Sequence, residues 1–346
     1  MNPHTKLISY LSLLLGTTIT ISSNHWMMAW TGLEINTLAI IPLISKSHHP
    51  RAIEATIKYF LVQATASTLM LFSSMTNAWL TGQWDITQLT HPTSCLLLTT
   101  AIAMKLGLVP FHFWFPEVLQ GSPMTTALLL TTMMKFPPIT ILFMTSHTLN
   151  PTLLTSMAIA SAALGGWMGL NQTQIRKILA FSSISHLGWM TIIIIYSPKL
   201  TLLTFYLYAL TTTTTFLMLN TTKALKLSTM MTSWTKAPML NATLMLTLLS
   251  LAGLPPLTGF LPKWLIIQEL TKQEMTVAAT TITMLSLLGL FFYLRPRMLL
   301  SNHPPTKPHK PHKTMACLQI NSPQVAILAS LSTLLLPLSP TILATA

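Results

Sequence analysis

Charge is scarce in this sequence. Only 7% of its 346 residues are Asp, Glu, Lys or Arg, against about 25% in ordinary soluble domains. A soluble globule of this length would lack the charges to coat its surface. Disorder is excluded by the opposite excess, because a chain that is 51% hydrophobic does not stay solvated. Cysteine is nearly missing as well. Cys95 and Cys317 stand alone with no CxxC, which removes a disulfide framework and a thiolate metal site. No GxGxxG loop, Walker motif, haem pair or nucleophile triad is present, so no metal or cofactor is expected on the chain itself. The first apolar stretch is too long for a signal-peptide core, lacks a cleavage site and is followed at once by another. It reads as a first membrane span.

Apolar stretches of about 20 residues are what a helix needs to cross a bilayer. About eleven fit, near residues 3–22, 26–45, 57–80, 94–116, 123–146, 150–170, 176–196, 200–219, 238–271, 275–294 and 325–344. They are too long and too uniformly apolar for barrel strands. The expected fold is an all-α polytopic membrane protein. The 19 basic residues test the topology. With the N-terminus on the positive side, fourteen fall there: Lys6, Lys46, Arg51, Lys58, Arg176, Lys177, Lys223, Lys226, Lys236, Arg295, Arg297, Lys307, Lys310 and Lys313. Lys199 and Lys272 fall opposite. The formal charge of +13 thus marks one membrane face, not a nucleic-acid surface.

Two segments resemble each other, Leu106–Val118 (LGLVPFHFWFPEV) and Leu251–Trp264 (LAGLPPLTGFLPKW). Each puts a Gly-Leu-x-Pro break in an apolar span, near 107–113 and 253–260. Proline removes a backbone donor and clashes one turn back. Exposed backbone at membrane depth survives only beside a polar cavity or under protein cover. The spans then group into five-helix repeats at 1–148 and 149–294, each with a broken fourth helix. Five is odd, so the second is inverted relative to the first. A basic loop at 295–324, expected to be solvated and to meet anionic lipid or a partner, and a final helix at 325–346 complete the domain plan.

Glu34, Lys105, Lys135, His186 and Lys263 stand well inside spans. A charge at the bilayer centre costs about 2.5–3.5 kcal/mol, so each must pair, meet water or be neutral. They could be purely structural, a Glu–Lys ion pair that holds helices together or a lysine bonded to carbonyls freed at a proline break. As a water-linked chain Glu34–Lys105–Lys135–His186–Lys263 they form a proton relay, with His112 beside the first break as an extension. A buried lysine beside a movable carboxylate can alternate between holding and releasing a proton, and histidine titrates near neutrality. Glu117 and Asp85, near span ends, are expected to be solvated.

At these residues the sequence resembles a known family. NHWMMAWTGLEINTLAIIPL, PRAIEATIKYFLVQATAS, MKLGLVPFHFWFPEVLQG, QIRKILAFSSISHLGWM and LAGLPPLTGFLPKW are similar to the antiporter-like membrane subunits of respiratory complex I, in the mitochondrially encoded form known from mammals. That family is related to multisubunit cation/proton antiporters. The resemblance implies proton translocation across the mitochondrial inner membrane, with the N-terminus in the matrix and the C-terminus in the intermembrane space. It implies a Glu34–Lys105 pair, with Lys135 and Lys263 continuing the polar axis. Where this chain has His186, other antiporter-like subunits carry a lysine or place a different residue at the distal break. It implies other membrane-arm subunits, accessory subunits and lipids as partners, and places flavin, iron–sulfur clusters and ubiquinone in other subunits. A self-standing cation/proton antiporter and a purely structural subunit are the competing readings.

Overall fold

The computed structural model describes residues 3–45, 49–234, 237–302 and 323–335. Cys317, His303, His309 and His312, and the basic residues Lys46, Lys236, Lys307, Lys310 and Lys313 lie outside them, so the expectation of a basic loop falls largely there. The described residues form helices α1 (Pro3–Ser22), α2 (Trp26–Ile44), α3 (Pro50–Thr81), α4 (Pro92–Leu106), α5 (Trp114–Gly121), α6 (Met124–Thr131), α7 (Phe136–Thr145), α8 (Pro151–Gly169), α9 (Ile175–Ile193), α10 (Pro198–Thr222), α11 (Leu227–Trp234), α12 (Pro238–Ala252), α13 (Phe260–Lys272), α14 (Thr276–Asn302) and α15 (Pro323–Leu334). Among them the extended pairings are two isolated bridges, His25 with Asp85 and Gln174 with Lys226. Several helices open on proline, where the missing N–H is one the first turn does not use.

Six helical stretches are long and apolar enough to cross a bilayer: Pro3–Ser22, Trp26–Ile44, Met124–Thr145, Pro151–Gly169, Pro198–Thr222 and Thr276–Arg295. Their many hydroxyls are compatible with lipid because they bond to their own helix. The run Thr211–Thr215 in α10 places every hydroxyl on a carbonyl three or four residues back, at 2.7–3.1 Å.

The chain forms two compact units, residues 1–161 with 190–198, and residues 162–189 with 199–346. In the first, α1 and α2 cross so closely that a Cβ on Gly16 would lie 2.8 Å from the Gly32 carbonyl oxygen. In the second, a Cβ on Gly165 in α8 would lie 2.8 Å from the Ser185 nitrogen of α9. Small residues admit such approaches between membrane helices.

Two elements differ from the sequence expectation. The span drawn over 123–146 is not one helix: α6 ends at Thr131, a 3-10 turn occupies Met133–Lys135, and α7 starts at Phe136. Pro137 and Pro138 explain this, because neither can donate to the carbonyls of Met133 and Met134 and each ring crowds its own. The region from 295 is also not loop from its start, since α14 continues to Asn302. Arg295 lies within it and donates to the Leu170 carbonyl at 2.9 Å. Replacing Pro137 and Pro138 together with Ala restores both donors and removes an interior penalty of about 3 kcal/mol each. We expect α6 and α7 to fuse and Lys135 to turn away from its present site, visible in an experimental density map. Persistence of the turn would show that packing, not proline, makes it.

Candidate functional site

In the first unit the site is built around the end of α4. Gly107 takes the left-handed conformation (φ 76°, ψ 40°), and its N–H and that of Leu108 both donate to the Ala103 carbonyl at 2.9 Å. The break follows, with Pro110 on a cis peptide. Lys105 stands two residues before the turn and is 6% exposed. Its backbone carbonyl accepts the Gln63 amide of α3 at 3.5 Å, and its ammonium has no hydrogen-bond partner among the described residues. Glu34 of α2 is half-buried and accepts the Thr37 hydroxyl at 3.2 Å. It lies within electrostatic reach of Lys105 and Tyr59, but the two charged groups do not touch. Ion pairs form elsewhere among the described residues, Lys58 with Glu54 and Glu117, and Lys272 with Glu269. The expected Glu34–Lys105 pair is therefore not in direct contact, and water or a carboxylate swing is needed to join it.

Aromatic rings fill the wall between the break and Lys135. Trp114 stands edge-on to Phe115 with centroids 5.4 Å apart and meets Tyr59 of α3 at 5.9 Å. Lys135, 2% exposed, holds its ammonium 4.5 Å from the Phe115 ring centre, a cation–π geometry. His112 is also buried in the break, 2% exposed, with its ring 4.2 Å from Phe113. Glu117 is not merely solvated as expected. Its carboxylate accepts Lys58 at 2.6 Å and links α5 to α3, with both side chains about half exposed.

The second unit repeats the break with different chemistry. Gly253 ends α12 in nearly the same conformation as Gly107 (φ 79°, ψ 40°). The Ala252 carbonyl would bond four residues on, at Pro256, which has no N–H. Lys263 of α13 supplies the missing donor at 2.8 Å. The lysine stem lies flat on the turn: a Cβ on Gly253 would be 2.9 Å from Lys263 Cδ. Its ammonium is 5.8 Å from the Trp189 ring centre. Lys263 and half-buried His186 line one small cavity with Ser185, Trp189, Ser286 and Tyr293. It leaves about 20 Å³ for water, room for one or two molecules. His186 also packs 5.5 Å from Tyr208. Among the described residues no group of His, Cys, Asp and Glu could hold a metal.

The structure thus places Lys105 and His112 at one break, Lys135 at a second interruption, and His186 with Lys263 at the third. Sequence reasoning missed that Lys135 lies at an interruption, although Phe-Pro-Pro signals it. It also missed the aromatic lining. The bond from Lys263 to the Ala252 carbonyl is the structural alternative that a lysine beside a proline break offers.

Broken membrane helices with buried basic side chains at the breaks define an antiporter-like helical membrane protein. Residues 23–289 match the family described as NADH:quinone oxidoreductase/Mrp antiporter, TM, and the chain belongs to it. It is 76% identical over 347 residues to NADH-ubiquinone oxidoreductase chain 2 of Struthio camelus, covering 99% of each, and 72% identical to that of Gallus gallus over 348 residues, again 99% of each. Among solved structures it matches a chain of respiratory complex I from Thermus thermophilus with bound aureothin, with TM-score 0.84 and 25% identity over 97% of this chain and 80% of that one. It also shares the fold of a chain of the Mrp complex from Dietzia sp. DQ12-45-1b, with TM-score 0.83 and 17% identity over 97% and 75%.

Proposed function

We propose that this chain is an antiporter-like membrane-arm subunit of the proton-translocating NADH:ubiquinone reductase of the mitochondrial inner membrane. Glu34, Lys105, Lys135, His186 and Lys263 carry protons in this reading, with His112 as an accessory group. Redox chemistry, with flavin, iron–sulfur clusters and ubiquinone, is assigned to other subunits. The observation that carries the reading is the placement of Lys105: an ammonium 6% exposed, without a hydrogen-bond partner among the described residues, at a helix break and within electrostatic reach of Glu34. Structural economy does not explain such a residue, because an apolar one would fill the place at less cost.

The finer architecture belongs to the same proposal: eleven crossings, with the N-terminus in the matrix and the C-terminus in the intermembrane space, and two inverted repeats. The repeat is supported by Gly107 and Gly253, which share a turn geometry at the end of α4 and α12. It is also supported by the crossings at Gly16 and Gly165, each one helix before Glu34 or His186.

The test is proton uptake per electron in vesicles holding the assembled complex. His186→Ala and Lys263→Gln each interrupt the shared cavity. We expect either to lower the proton-to-electron ratio of the complex that assembles. An unchanged ratio in both would end the relay through the second unit. The likeness to Mrp antiporters favours a second reading, exchange by the chain alone. Purified chain in liposomes with an imposed sodium gradient would then move protons, and we expect no movement.

A further inference from the structure

We propose that the groove between α10, α12 and α15 is a binding site for one acyl chain of an anionic phospholipid, whose head group lies against Lys223 and Lys226. The groove has a volume of about 300 Å³ and is lined by Met218, Leu240, Thr243, Leu246 and the Val325–Thr333 face of α15, a volume at the low end for small-ligand sites.

Its walls select hydrocarbon. Three hydroxyls line it, and each is already used on its own helix: Thr243 bonds the Leu240 carbonyl at 2.9 Å, Ser330 that of Ile327 at 2.9 Å, and Thr333 that of Ala329 at 3.0 Å. A polar ligand would find the hydroxyl donors already committed and would forfeit most of its hydration. A methylene chain loses nothing there and gains burial.

Its depth matches a lipid tail. Met218 lies four residues before α10 ends, and Leu240 and Val325 lie two residues after α12 and α15 begin. The groove therefore opens where three helix ends meet. Val325 to Thr333 spans eight residues, about 12 Å along a helix.

Its mouth selects charge. Lys223 and Lys226 follow directly on α10, and both are exposed. No acidic residue occurs between positions 118 and 268 or after 274, so the stretches that build the groove offer cations without local competitors. Basic residues beside a membrane attract anionic head groups.

The test uses membranes containing the assembled complex and a phospholipid with a photoreactive group on its acyl chain, in phosphatidylglycerol and phosphatidylcholine forms. Phosphatidylglycerol should label peptides 238–246 and 323–333 about fivefold or more above phosphatidylcholine. Lys223→Gln with Lys226→Gln should bring the two forms together, and Ala329→Trp, which fills the groove, should abolish labelling by both. Because the head-group comparison is made on the native chain, a misfolded Trp variant does not decide the matter. Equal labelling by the two lipids would overturn the anionic assignment. No labelling of these peptides while exposed Val277 and Met284 of α14 are labelled would show a partner helix seated in the groove and overturn the site.

Discussion

Lys105→Ala is expected to leave the assembled complex at its normal level while lowering NADH-driven proton pumping about a hundredfold, the low end for loss of a positioned proton-transfer group. Separating assembly from pumping follows from what Lys105 touches. Its ammonium makes no hydrogen bond among the described residues, so its removal orphans no partner. It also removes a group that costs about 2.5–3.5 kcal/mol to place in a membrane. A structural lysine would behave in the opposite way, with assembly failing first. Native gels give the amount of complex, and proton uptake in vesicles gives the activity. Normal pumping by the Ala variant would sink the role given to Lys105. Glu34→Gln should act in the same direction, because Glu34 is the carboxylate that reaches this site.

The second large effect is a contrast between two glycines of nearly identical conformation. Gly107→Ala and Gly253→Ala each put a side chain into the left-handed region, at about 1–2 kcal/mol. Their neighbours differ. A Cβ at 107 meets Phe115 and Trp114 no closer than 3.5 Å, which is ordinary contact. At 253 it meets Lys263 Cδ at 2.9 Å, and Lys263 is tied to the Ala252 carbonyl. Gly253→Ala must therefore push the lysine away and leave that carbonyl without its donor, a further cost of about 1–3 kcal/mol. Assembled complex should fall about tenfold further for Gly253→Ala than for Gly107→Ala. Adding Lys263→Ala to Gly253→Ala leaves the same carbonyl without its donor, and should keep assembly at the level of the single variant with none of the pumping. Equal losses for the two glycines would show that backbone strain alone sets the cost.

The two breaks were legible because Gly-Leu-x-Pro states its own physics: a residue free to turn left-handed, then one that cannot donate. The buried charges were legible because a membrane sequence has so few. What escaped depends on three-dimensional neighbours. Phe-Pro-Pro after Lys135 carries the same proline signal, but with no glycine before it the stretch reads as a continuous span. That a lysine bonds a carbonyl freed at a proline break is legible, but which carbonyl Lys263 takes depends on the fold. The gap between Glu34 and Lys105 depends on rotamers, which no motif encodes. In α14 beyond 294, Arg295 meets the Leu170 carbonyl, a contact 125 positions away that no local pattern states.

The Lys263–Ala252 bond has a consequence for how the halves of the chain can be controlled. A carboxylate is a partner on a hinge: Glu34 can turn about its own side-chain bonds and change the field at Lys105 while the lysine stays still. A carbonyl at a helix end is fixed to the main chain and has no such freedom. If the proposed relay operates, the ammonium in the second unit must itself travel, over a turn that Gly253 keeps bare. The proposal then has one half tuned by moving the counter-charge and the other by moving the cation.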